Sequence, residues 1–143
     1  MTRIGKSTRR RGGALYCVLV PLTSALDSPP LVDLAVLATL ELHLDDSGPA
    51  RAFARDYVAA FPARYLRLRE SVDDRDLTAA MDATLSLRST SIMVGAVVLS
   101  ALAAEIATAV LAMDLGAARQ ALPPLERCGL ATIGELEARY LAR

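Results

Sequence analysis

The sequence predicts an all-α protein, an up-and-down four-helix bundle with an additional N-terminal helix and a short C-terminal helix. Three observations carry this. The apolar fraction of 53% is built mainly from Ala, Leu and Val, and the first two are strong helix formers. Apolar residues recur at steps of three and four along most of the chain. No stretch alternates apolar and polar residues over the length of a strand, and no internal repeat is present. A chain of 143 residues suits one domain and has ample apolar mass for one core.

The elements follow in order. Asp27-Ser28-Pro29-Pro30 breaks the chain, so the folded part is expected at 31–143, with 1–30 as a basic, disordered extension. Asp33 suits the N-cap of a first helix, with Val32 and Leu37 placed as a hydrophobic staple. Leu37, Leu40 and Leu44 continue it, and Asp45-Asp46-Ser47-Gly48 ends it. Pro49 belongs in the first turn of the next helix, where its missing N–H costs nothing. Phe53, Tyr57, Phe61, Tyr65, Leu68 and Val72 form one stripe, with Arg51, Arg55, Arg64, Arg67 and Arg69 on a solvated face. Pro62 predicts a kink or a change of direction.

Asp76 is the predicted N-cap of a third helix after the Asp73–Asp76 turn. Its inward face is Leu77, Ala80, Met81, Thr84, Leu87, Ser91 and Val94, and Gly95 closes it. Val98 to Met113 carry a fourth helix. Asp114 caps a fifth, with Leu115, Ala118, Leu122 and Leu125 inward. Pro123-Pro124 and Cys128-Gly129 are expected to interrupt it, and Thr132 with Glu135 forms a capping box for a last short helix.

Composition excludes several functions. Net charge is zero, and the cations Arg3, Lys6, Arg9, Arg10 and Arg11 crowd the first residues while the remainder is mildly acidic. Nucleic-acid binding needs clustered cations on a folded surface, so none is expected. Cys17 and Cys128 lie far apart and His43 is the sole histidine, so no disulfide framework, metal site or cofactor is expected, and a cytoplasmic setting follows. The basic residues precede an apolar run, Ala14 to Leu22, in an outline like a secretory signal. Tyr16 and Pro21 weaken that run, and a disordered extension is the preferred reading. Between Ser89 and Met113 only Glu105 is charged. Gly95 and the cost of burying Glu105, about 2.5–3.5 kcal/mol, argue for a buried helical hairpin over a membrane span.

The run Asp76 to Ala96 carries a resemblance. It holds Leu87, Arg88, Ser89, Thr90 and Ser91 in succession, then Gly95-Ala96. This resembles the signature of the histidine-containing phosphotransfer (HPt) family. There, an acidic residue starts the helix, and an acceptor His is followed by Leu, Lys, Gly, two Ser and a Gly-Ala. Leu87 matches the family Leu, Arg88 the Lys, Ser89 the Gly, and Gly95-Ala96 falls in register. The resemblance extends over most of 31–129 and implies an HPt-type bundle. The acceptor position, however, is Leu85, which has no lone pair with which to attack an aspartyl phosphate. Ser86, Ser89 and Ser91 offer hydroxyls without an evident base.

The resemblance therefore implies a non-enzymatic pseudo-phosphotransfer module whose partner is a response-regulator receiver domain or a histidine kinase. Asp82, Leu85, Arg88, Ser89 and Ile92 share one helical face by their spacing and form the candidate docking patch. The competing reading places Leu85 in the core of a slightly rotated helix. Two other functions stay open: a structural or oligomerisation bundle that forms a homodimer through this face, and a divergent relay protein with another acceptor. Cys128 is expected to be a small buried group. Glu105 is expected to pair with Arg88 or cap a neighbouring helix.

Overall fold

A computed structural model describes residues 30–142. The expectations for the N-terminal extension, including its apolar run, fall on residues 1–29 and lie outside the described residues. Among the described residues the architecture is all-helical, without strands: α1 Leu34–Leu44, α2 Ser47–Asp73, α3 Leu77–Met93, α4 Val97–Leu111 and α5 Leu115–Leu136. A π-helical segment, Glu137–Leu141, continues α5 without a break.

Aspartate starts most of these helices. Asp33, Asp76 and Asp114 accept the exposed backbone N–H of Ala35, Ala79 and Ala117 at 3.0–3.1 Å, as their positions in the sequence predict. Asp46 does the same for Gly48 at 3.0 Å and starts α2, with Pro49 in its first turn. Each such bond satisfies a donor that helix geometry leaves without a partner.

Helices α2, α3, α4 and α5 form a closed ring in which each packs against two others, and α1 lies on α2. Pairs of contacts fix directions. Tyr57 meets Ser91 and Arg64 meets Ser86, so α2 and α3 are antiparallel. Tyr65 reaches the Leu122 carbonyl and Asp73 reaches Arg119, so α2 and α5 are antiparallel as well. The core runs through the ring on Tyr57, Phe61, Leu68, Leu87, Leu99, Ile106 and Leu125, all buried. Val32 and Leu37, the expected staple pair, are buried in the same cluster, whereas Leu44 is exposed.

Several expected breaks are absent. Pro123 and Pro124, expected to interrupt α5, lie inside it, and Pro62, expected to kink or redirect its helix, lies inside a continuous α2. Proline removes one intrahelical hydrogen bond, but the apolar stripes around these positions are buried on both sides, and that burial outweighs the lost bond. Gly129 is no stop either. It sits where Phe61 crosses α5, and a Cβ there would lie 2.0 Å from the Phe61 Cζ. Its role is close approach between helices. The expected capping box does not form, since the Thr132 hydroxyl bonds back to the Cys128 carbonyl at 2.8 Å. Among the described residues the last helical segment, Glu137–Leu141, continues α5 and does not start at Thr132 as a separate helix.

Gly95 does end a helix region as expected, with φ at +81°. It also joins two elements. Its carbonyl accepts the Asp33 N–H at 2.7 Å, and a Cβ at this position would lie 2.3 Å from the Asp33 carbonyl oxygen. The start of α1 is thereby seated on the α3–α4 turn. This turn also splits the apolar stretch from Ser89 to Met113, and among the described residues no helix is long and apolar enough to cross a membrane. Met113 falls in the turn after α4, exposed, with φ at +60°.

Candidate functional site

The site is built on α3. Ala80, Ala83, Thr84, Leu87 and Ser91 are buried, which turns the other side of the helix outward. Asp82, Leu85, Arg88, Ser89 and Ile92 all lie on that outer side and are all exposed. Leu85 is 44% exposed and Ile92 49%, so the rotated-helix alternative, with Leu85 as core, does not hold.

These five residues divide into two parts. Asp82 and Leu85 help to line an open groove of about 490 Å³ between α3 and the end of α4. Leu77 and Met81 of α3, and Val110, Leu111 and Met113 across from them, complete its apolar floor. Leu111 and Met113 are 77% and 72% exposed. Arg88, Ser89 and Ile92 continue along α3 beyond the groove toward Gly95.

Two polar contacts behind this face were not foreseen from sequence. Arg64, expected on a solvated face, is half-buried: its Nη1 donates to the Ser86 hydroxyl at 2.8 Å, and its Nε is buried without a partner. Tyr57 and Ser91 share a buried hydrogen bond of 2.7 Å. Burial pushes the Tyr57 phenol up to about 12, and the Ser91 hydrogen bond only partly offsets this. Nothing in the spacing of the arginines along α2 marked Arg64 as turning inward.

Arg51 departs from the expected solvated face in the same way. It donates to the Tyr140 and Leu141 carbonyls at 3.0 and 2.9 Å and lies over the Tyr140 ring. Glu105 is exposed on α4, forms no ion pair with Arg88, and caps no helix. Cys128 is buried in the core as expected.

Chemically, the outer face of α3 offers apolar surface beside one carboxylate, one guanidinium and one hydroxyl. Position 85 presents no nucleophile. Ser91 is enclosed with Tyr57, and Ser86 accepts from Arg64, so neither hydroxyl has a base to activate it. Among the described residues no three His, Cys, Asp or Glu side chains gather as a metal site. Compared with protein-family models, curated proteins and solved structures, the chain gives no significant match.

Proposed function

We propose that this protein is a pseudo-phosphotransfer module: an HPt-type bundle that docks a receiver domain, or a histidine kinase, without accepting phosphate. The observation that supports it is the outer face of α3. Asp82, Leu85, Arg88, Ser89 and Ile92 are exposed together, with a leucine at the position where the resembling family carries its acceptor imidazole. An exposed apolar residue flanked by polar ones is the composition of a binding patch. In this reading the protein competes with a phosphorylatable relay protein for the same receiver. The test is titration of isotope-labelled protein with receiver domains from the same genome. Amide shifts confined to 82–92 support the proposal, and none with any receiver would remove it.

A second reading rests on Leu111 and Met113, which extend the apolar surface beside Leu85. A bundle that pairs with its own copy there would be an oligomerisation module. Light scattering separates the two: a tight homodimer that dissociates on Leu85→Asp favours self-association.

A further inference from the structure

Ala60, Ala63, Arg64 and Arg67 share one stripe of α2 by their spacing and line a cavity of about 310 Å³. That volume is at the lower end of small-molecule sites, roughly 300–1,000 Å³. The two alanines leave the space, and the two arginines supply its polar groups. Ser86 of α3 anchors the Arg64 guanidinium by accepting from its Nη1 at 2.8 Å.

These two cations have no counter-ion. Neither Arg64 nor Arg67 forms an ion pair among the described residues. Asp56 lies one turn before Ala60 and Glu70 one turn after Arg67, and neither carboxylate pairs with them. Arg64 is half-buried, and beyond the bond to Ser86 its Nε and Nη2 have no partner, with Nε enclosed. A guanidinium taken partly out of water is costly to leave without an anion. The Nε and Nη2 edge is a fork that fits two oxygens of one oxyanion. A second guanidinium on the same cavity favours a doubly charged one. We infer that this cavity binds a phosphate group between Arg64 and Arg67, either free phosphate or the end of a small phosphomonoester. Ser86 positions Arg64, and the exposed Arg67 supplies the second charge. The inference is independent of the receiver proposal, since the cavity shares no lining residue with the Asp82 to Ile92 face.

The test titrates the isotope-labelled full chain with inorganic phosphate and, separately, with glycerol phosphate. Both are run at about pH 8, where the phosphate is a dianion, and at low, constant ionic strength with chloride as the reference anion. The Ala60 and Ala63 methyl signals and the Arg64 Nε signal should shift and saturate with phosphate but not with chloride. Tighter binding of glycerol phosphate identifies the ester as the ligand, and tighter binding of inorganic phosphate the free ion. Arg67→Gln, at an exposed position, leaves the core untouched and should weaken binding about tenfold. Arg69→Gln removes the same charge from α2 outside the cavity and should leave binding unchanged. Signals that do not saturate, or that shift equally with chloride, overturn the inference. Equal weakening in the two arginine variants also overturns it, because a diffuse attraction to a basic helix then accounts for the binding.

Discussion

The hydroxyls of Tyr57 and Ser91 meet at 2.7 Å inside the bundle and tie α2 to α3. Because the site faces outward from α3, this bond acts on the docking face from behind: it helps to set which side of α3 is turned to solvent.

Burial of the Tyr57 phenol gives the fold a pH dependence. In the unfolded chain the Tyr57 phenol ionises near its ordinary value of 10.0, whereas in the folded protein burial pushes it up to about 12. The folded state thus holds a proton that the unfolded state has lost. Stability from this group is intact below pH 10 and falls as pH rises through about 12, by about 2–3 kcal/mol in all. Urea unfolding midpoints across that range should decline, and Tyr57→Phe should flatten the decline. A residual slope belongs to Tyr65, which burial and the nearby Glu126 charge also raise.

Gly129→Ala should destabilise the bundle by about 1–3 kcal/mol, since the new methyl meets the Phe61 ring. Phe61→Leu in the same background should recover part of the loss, though it is costly alone. Thermal unfolding of the single and double variants measures this coupling. Additive losses would show that Phe61 and Gly129 do not pack as described.

Gly95→Ala and Gly134→Ala should shift stability in opposite directions. At Gly95 a side chain faces a positive φ, worth about 1–2 kcal/mol, together with the Asp33 carbonyl. At Gly134 the space is open, so alanine should stabilise the helix by about 0.5–1 kcal/mol. Circular dichroism melts of both variants check the pair.

Leu85→His should leave stability within about 0.5 kcal/mol, because the side chain is exposed. If the bundle orients position 85 as a phosphotransfer protein orients its acceptor, this variant should take up phosphate from a phosphorylated receiver. Mass spectrometry of the intact protein reads the added phosphate.

The aspartate caps were legible because capping is local: the carboxylate and the N–H it accepts lie two or three residues apart. The inward face of α3 was legible for a related reason, its buried residues falling at steps of three and four. Pro123, Pro124 and Gly129 were misread because their local meaning is a break. What keeps α2 and α5 continuous is burial against other helices, visible only once Phe61 is seen over Gly129. Arg64 and Arg51 were misread likewise. A cation on a polar stripe looks solvated until a distant hydroxyl or carbonyl is found to accept from it. For the site, the spacing of 82, 85, 88, 89 and 92 gave the shared face. The groove needed Leu111 and Met113, whose nearness to Leu85 depends on the α3–α4 pairing.

The first helix is fastened at two distant points. Asp33 is held by Gly95 at its beginning, and Glu41 near its end accepts from the Tyr140 hydroxyl of the C-terminal segment. Arg51 in turn grips the Tyr140 and Leu141 carbonyls. Both extremities of the folded region are thus buckled to each other through one tyrosine. Fraying of the last turn and peeling of the first helix should accordingly form a single opening event, with amides at the two ends exchanging hydrogen at a common rate.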